Sequence, residues 1–263
     1  MLNRKVTALI DGDTLVYAAA LSAEKPIEWE DGLWTLHAYL PEAIEKFNHM
    51  VEEIKDVVKP DRIIVGLTDS ASEGRWRNEV MPSYKRNRKT LRRPVVFKAL
   101  RAWVHENFET FERPGLEGDD VLGILATRPD DAERVIVSID KDLKTIPGKL
   151  FNYGKPELGV VLVTEDEADY YHLFQTLTGD STDGYPGCPG VGPVSAKKIL
   201  DPFWSEIDGD RWFDGDRAWL AVEKAYRKAG LSEDVALMNA RVARILRMSD
   251  YDFKTKKAIL WQP

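Results

Sequence analysis

Three short runs of β-branched and apolar residues, Val6 to Ile10, Ile63 to Leu67 and Val135 to Ile139, each lead straight into an acidic side chain. Runs of this length without polar alternation predict strands buried on both faces, the pattern of a parallel sheet covered by helices. Asp11 follows the first run directly, Asp69 stands two residues after the second, and Asp140 with Asp142 follows the third. Between the first two runs, Pro41 to Val58 carries Ala43, Ile44, Phe47, Met50, Val51 and Ile54 in a helical pattern. Alternating strands and helices predict an α/β fold with a mainly parallel central sheet flanked by helices. In such a sheet ligands bind at the carboxyl ends of the strands, which is where these acids fall.

Further along, Val160 to Val163 reads as another strand, and Glu165 to Leu177 as a helix that delivers Asp180 just past its end. After Pro202 the pattern turns helical, with aromatic anchors, from Trp219 to Ala229 and from Val235 to Met248. The expected division is an α/β core over residues 1–165 and a smaller helical region over 166–263. With 263 residues, 43% of them hydrophobic, the chain is long enough to bury a full core. Cys188 is the only cysteine, which excludes an internal disulfide and a thiolate zinc cluster and suits a reducing cytoplasm. His37, His49, His105 and His172 show no zinc-ligand spacing. No apolar run approaches the roughly 20 residues that span a bilayer, and Asp11 comes too early for a signal sequence, so a soluble, cytoplasmic protein is expected.

Glu117-Gly118-Asp119-Asp120 precedes the apolar Val121, Leu122, Ile124 and Leu125, placing acids at a helix N-terminus. Capping accounts for acids there, but three in four positions exceed what a cap needs. Asp11, Asp69, Glu117, Asp119, Asp120, Asp140, Asp142, Asp180 and Asp183 all lie at element ends that this topology can bring to one edge. Packed without cations they would repel and raise one another's pKa values. An all-oxygen donor set selects Mg²⁺, with Mn²⁺ as a substitute, over zinc. Two such ions roughly 4 Å apart would activate water for phosphoryl displacement. Asp13 is left outside the set, because alternation can turn it away from the crevice and Asp-Thr can simply open the next helix. The near-repeat from Asp208 to Ala218 lacks the spacing of a calcium loop and reads as an acidic surface turn.

Asp180 and Asp183 run directly into Gly187-Cys188-Pro189-Gly190-Val191-Gly192-Pro193. Backbone N–H groups of such a glycine hairpin and the helix after it attract phosphate. A second basic feature is the stretch Arg75-Trp76-Arg77, Tyr84-Lys85-Arg86-Asn87-Arg88-Lys89, Arg92-Arg93, Lys98 and Arg101, with no acid between Glu79 and Glu106 in a chain of net charge -7. A solvated helix face is the ordinary reading of such a run. Its position between Asp69 and Glu117 favours an electrostatic guide for a nucleic-acid strand, with Tyr84 or Trp76 stacking on a base and Lys85 and Arg88 on phosphates. The acidic stretch Glu24, Glu28, Glu30 and Asp31 has no assigned role.

Leu9-Ile10-Asp11-Gly12-Asp13, Tyr84 through Arg88, Leu116 through Val121, Asp140-Lys141-Asp142, and Gly179-Asp180 through Gly192 together resemble the 5′ nuclease family. That family contains flap endonucleases and the 5′ nuclease domain of bacterial DNA polymerase I, and the match is close to its bacteriophage T7-type 5′-to-3′ exonuclease branch. The resemblance implies one metal among Asp11, Asp69, Glu117, Asp119 and Asp120, and a second among Asp140, Asp142, Asp180 and Asp183. It implies a helical arch over about 76–101 that brings Tyr84, Lys85, Arg86 and Arg88 to DNA. It also implies a helix-hairpin-helix over about 184–201, with Gly187, Gly190, Gly192 and Lys197 on the duplex and K⁺ at the hairpin. The activity implied is hydrolysis of duplex DNA from 5′ ends, nicks or flaps, with RNA in RNA-DNA hybrids also removed and a single-strand-binding protein as partner, in the host-cell cytoplasm. A flap endonuclease, a noncatalytic DNA-binding protein and an acidic-crevice ribonuclease without the hairpin are the alternatives.

Overall fold

The computed structural model describes residues 5–70, 75–87, 92–130 and 132–263. In chain order the elements are β1 (Val6–Asp11), α1 (Gly12–Ser22), β2 (Lys25–Glu28), β3 (Trp34–His37), α2 (Leu40–Val58), β4 (Arg62–Gly66), α3 (Trp76–Val80), α4 (Phe97–Asn107), β5 (Thr110–Phe111), α5 (Gly118–Ala126) and β6 (Glu133–Val137). They continue as β7 (Gly148–Phe151), β8 (Val160–Val163), α6 (Glu165–Thr178), α7 (Pro193–Leu200), β9 (Trp204–Ile207), β10 (Asp210–Phe213), α8 (Gly215–Lys228), α9 (Glu233–Ala243), β11 (Tyr251–Asp252) and β12 (Lys257–Ala258).

The central sheet has six strands in the order β5-β4-β1-β6-β7-β8, parallel throughout except for β8, which runs antiparallel to β7. The three apolar runs form β1, β4 and β6, side by side, with Ile10 level with Val65 and Val137. Because β1 lies between strands reached by crossovers in opposite directions, its carboxyl end is the switch point where a crevice opens.

Alternate residues of these strands serve opposite layers. Ala8, Ile10, Val65, Leu67, Val135 and Val137 pack under α1, α2 and α4, joined by Phe47, Leu100 and Val104. Leu9, Ile64, Ile136 and Leu150 face the other way, onto Leu122 of α5 and onto Leu143, Ile146 and Ile245. Both faces are therefore covered, and the strands carry no polar alternation.

A third core, with Leu173, Leu177, Trp219, Val222, Tyr226 and Ala240, joins α6 to α9. This region is not separate from the sheet. Leu246 and Tyr251, which follow α9, pack on Leu116, Val121 and Ile124 at α5. The closeness of that return is set by Gly123, where a Cβ would lie 2.4 Å from the Leu246 carbonyl oxygen. The helix expected to continue to Met248 ends at Ala243, with Arg244 in an extended conformation, because the chain must leave α9 to reach α5.

The arch segment starts with α3 and runs into α4, whose Phe97, Leu100 and Val104 belong to the core. Residues 88–91, between those helices, lie outside the described residues. Among the described residues, no helix is long and apolar enough to cross a membrane.

Candidate active site

Asp11 ends β1 and caps α1, its Oδ1 accepting from the Thr14 N–H at 3.1 Å while Oδ2 accepts from the Ser138 hydroxyl at 2.6 Å. Ser138 follows β6 and also accepts from the Asp140 N–H at 3.0 Å, so one hydroxyl ties two strand ends together. Asp140 Oδ1 accepts from the Asp142 N–H at 2.9 Å, which sets the two acids in one tight turn. Burial, with the nearby Asp13 charge, pushes the Asp11 carboxyl up to about 6.

Glu117 caps α5 and is 3% exposed. Its Oε1 accepts from Arg75 Nη1 at 2.7 Å and Lys85 Nζ at 2.9 Å, and Oε2 from Arg77 Nη1 at 3.1 Å and the Tyr84 hydroxyl at 3.0 Å. Burial opposes ionisation here, but the charges of Lys85, Arg77 and Arg75 outweigh it and hold the carboxyl at about 2. Asp119, two residues on, has the opposite fate. Burial and the negative charges of Asp11 and Asp140 push it well above the carboxylate range, which puts it amid those two acids and Glu117.

A second group forms across α6. Asp142 Oδ1 accepts from Gln175 Nε2 at 2.6 Å, and burial followed by the Asp140 charge raises its carboxyl to about 6, with Asp180 and Asp183 adding to the rise. Asp180 Oδ1 accepts from the Thr182 and Asp183 N–H groups, at 2.7 and 3.2 Å, and Oδ2 takes Lys141 Nζ at 2.9 Å. Asp183 Oδ2 lies 2.9 Å from the Tyr84 hydroxyl and 3.5 Å from Lys85 Nζ. The two groups meet around a cavity of about 20 Å³ lined by Glu117, Asp119, Asp142 and Asp183. Asp69 stands at the margin, its Oδ2 accepting from the Gly115 N–H at 2.9 Å.

Among the described residues, no three of these acids are closed into a ready-made cation cage. Lys85 stands between Glu117 and Asp183, and Lys141 between Asp180 and Asp142. Even so, Asp11, Asp119 and Asp142 keep raised pKa values, so the crevice is short of positive charge. An all-oxygen set with that deficit fits a hard divalent cation.

Several expectations are corrected. Asp120 is fully buried and does not line the cavity; its two oxygens accept from Arg77 Nη1 and Nη2, both at 2.7 Å, and from Trp76 Nε1 and the Leu246 N–H. It anchors a buried ion pair. Tyr84, at 4% exposure and bonded to Glu117, cannot stack on a base, and Trp76 is likewise held by Asp120 and stacked under Arg77. Several of the run's cations are paired with carboxylates: Arg75, Arg77 and Lys85 with Glu117, Arg101 with Glu112, and Arg92 with Glu24. Glu24 thus gains a role, since it also accepts from the Val95 N–H and ties the end of α1 to the segment before α4. Arg86 is exposed, and Arg88 lies outside the described residues.

At the hairpin, Gly187 is buried and its N–H donates to Asn239 Oδ1 at 3.1 Å, so that amide does not face a phosphate. Gly179 and Gly187, at φ +65° and +67°, cross so closely that a Cβ on either would meet the other's backbone region at 2.4 Å or less. Gly190 and Gly192 are exposed at the N-terminus of α7 and Lys197 is exposed in its last turn, and α7 packs on α6. Asp13, left outside the set, is at the same edge after all: its Oδ2 accepts from the Thr68 N–H at 3.0 Å and abuts Gly118. Strand alternation misplaced it because the chain turns helical at Gly12.

Such a crevice, with carboxylates from four strand and helix ends on a mainly parallel sheet, defines an α/β class built to hold cations beside an anionic substrate. A family model described as the 5′-3′ exonuclease N-terminal resolvase-like domain matches residues 6–168. The exonuclease of Escherichia phage T7 is 34% identical, over 97% of this chain and 93% of its own length. The flap endonuclease Xni of Vibrio atlanticus is 33% identical over 72% of this chain and 74% of its own. Among solved structures, a bacteriophage T5 D15 flap endonuclease complex with DNA and metal ions superposes with a TM-score of 0.56 at 15% identity, covering 91% of this chain and 89% of that one. The chain belongs to the 5′-3′ exonuclease family.

Proposed function

We propose that this chain is a divalent-metal-dependent exodeoxyribonuclease that hydrolyses duplex DNA from 5′ ends. The observation that carries the reading is the convergence of Asp11, Glu117, Asp119, Asp140, Asp142, Asp180 and Asp183 at one sheet edge, in a chain of this family. Asp11, Glu117, Asp119 and Asp140, with Asp69 at the margin, would hold one Mg²⁺ or Mn²⁺; Asp142, Asp180 and Asp183 would hold the other. When bound, the ions supply an ionised water and offset charge on both oxygens of an in-line displacement.

The protein's own part is positioning. Ser138 fixes Asp11 relative to Asp140, and Gln175 fixes Asp142. Lys85 Nζ, held between Glu117 and Asp183, is poised to offset charge on a phosphate entering the crevice. Arg86 and Arg88 would follow the strand backbone, while Gly190, Gly192 and Lys197 would grip duplex, with K⁺ at the hairpin. Residues 1–165 would carry most of the metal ligands, while 166–263 would add Asp180 and Asp183 and supply the grip on duplex. RNA in hybrids, a single-strand-binding partner and a host-cell cytoplasmic location belong to the same reading.

The similarity to a flap endonuclease favours one second reading, cleavage at a single-strand junction with the same residues. End-labelled blunt, nicked and flapped duplexes separate the two. Mostly mononucleotide products with Mg²⁺ are expected, flap-length oligomers would favour the junction enzyme, and no product with either metal would sink both. Asp140→Asn is expected to lower cleavage by at least a hundredfold (about 2.7 kcal/mol) while retaining DNA binding, and wild-type turnover in that variant would overturn the ligand assignment.

A further inference from the structure

Near its C-terminus the chain carries a small basic knob that neither the carboxylate crevice nor the glycine hairpin accounts for. Strands β11 and β12 pair Tyr251 with Ala258 and Asp252 with Lys257, and the turn between them presents Phe253, Lys254, Lys256 and Lys257 to solvent. Asp252 is the local acid, but its carboxylate serves the turn: Oδ1 accepts from the Lys254 and Thr255 N–H groups, and Oδ2 from the Thr255 hydroxyl. None of the three lysines has an ion-pair partner among the described residues. This sets them apart from Arg75, Arg77, Lys85, Arg92, Arg101 and Lys141, which are all paired with carboxylates.

The knob is held in place by its root. Tyr251 is 4% exposed and packs with Leu116, Val121 and Leu246, and Leu116 directly precedes Glu117 of the crevice. Tyr251 also meets Phe253 edge to face at 4.9 Å, which holds that ring 45% exposed. Arg113, over the Phe111 ring at 3.9 Å, adds a cation beside Tyr251. The glycine hairpin follows Asp180 and Asp183 of the crevice along the chain, so it belongs to a different segment from the knob.

We propose that the β11–β12 knob is a second nucleic-acid contact, in which Lys254, Lys256 and Lys257 bind backbone phosphates beyond the crevice, on the side where Tyr251 packs beside Leu116. Unpaired lysines around an exposed aromatic ring have the chemistry of strand-backbone binding, and in a chain of net charge -7 they form a local attractive field. The inference rests on the nuclease reading, since it takes the substrate of the crevice to be a nucleic acid.

The test is a triple substitution, Lys254→Gln, Lys256→Gln and Lys257→Gln, beside a triple substitution to Arg. KM for a blunt duplex is measured across a salt series, with thermal unfolding checked for each variant. Each lost phosphate contact flattens the plot of log affinity against log salt by roughly 0.9 for duplex DNA, so the Gln variant is expected to be shallower by about 2 to 3 and the Arg variant to match wild type. If the Gln variant keeps the wild-type KM and slope while wild type cleaves, the knob does not bind nucleic acid. If its only change is in sedimentation of the protein, the knob is a protein contact and the proposal is overturned. Failure of wild type to cleave would instead remove the nuclease reading itself.

Discussion

At the scale of single residues, Arg77 is the clearest case of a side chain whose surroundings reverse its apparent meaning. It sits in a basic stretch, yet it is 2% exposed and links three parts of the molecule: Asp120 and Glu117 on α5, and the Val242 and Arg244 carbonyls at the end of α9. Removing one partner of a buried pair leaves the other charged and unsolvated, at about 3 to 5 kcal/mol. Arg77→Met is therefore expected to lose that much stability in urea or thermal unfolding, whereas a mere DNA contact would melt like wild type. The carboxylate positions were legible because they follow an apolar strand, open an apolar helix or, for Asp180 and Asp183, follow the end of one. Which carboxylates line the cavity was not, because Asp119 and Asp120 are adjacent and differ only in the direction that α5 turns them. The partner of Asp120 lies 43 residues away, a separation that no local pattern encodes.

At the scale of elements, α5 and α6 carry most of what local patterns miss. Gly123 lies inside α5, where alanine has the better helix propensity by roughly 1 kcal/mol. The Leu246 carbonyl stands where the new Cβ would go, and a backbone atom cannot step aside. Gly123→Ala is thus expected to destabilise the fold by about 1 to 3 kcal/mol, as read from a urea midpoint, and a stabilised variant would contradict the close return of the chain. On α6, His172 is buried with Nε2 2.8 Å from the Ala240 carbonyl, so the neutral ring donates from that nitrogen. Burial, with Arg244 nearby, lowers its pKa to about 3. Between that value and the ordinary 6.5 the unfolded chain binds the proton and the folded one does not, so stability falls as pH drops through this window, by up to about 1.4 kcal/mol per unit. His172→Gln should flatten the acid limb of a Tm-against-pH curve, and an unchanged limb would mean that the ring is not held neutral. Four of the sheet strands and the long helices were readable from apolar spacing, but β2–β3, β5, β7, β9–β10 and β11–β12 were not. These are two- to four-residue pieces whose register depends on turns and on tertiary neighbours.

At the scale of the whole molecule, the acids gathered at one sheet edge should make the fold's stability respond to cations. Asp11 and Asp142 have carboxyls raised to about 6, so between the unfolded value near 4 and that point the folded chain binds protons that the unfolded chain releases. These groups therefore contribute most stability at acid pH and lose it as pH rises through 6, opposite in sign to His172. A divalent cation that binds the ionised crevice stabilises only the folded state, and it competes with those protons. Excess Mg²⁺ or Mn²⁺ should raise Tm relative to EDTA by more at pH 7.5 than at pH 5. In Asp119→Asn, which removes a charge from the middle of the crevice, the EDTA sample should gain stability while the metal response shrinks. A metal-induced rise in Tm that is equal at both pH values, or intact in Asp119→Asn, would place the cation elsewhere on this acidic surface. The charge deficit at the strand ends would then lack the metal-binding role assigned to it here.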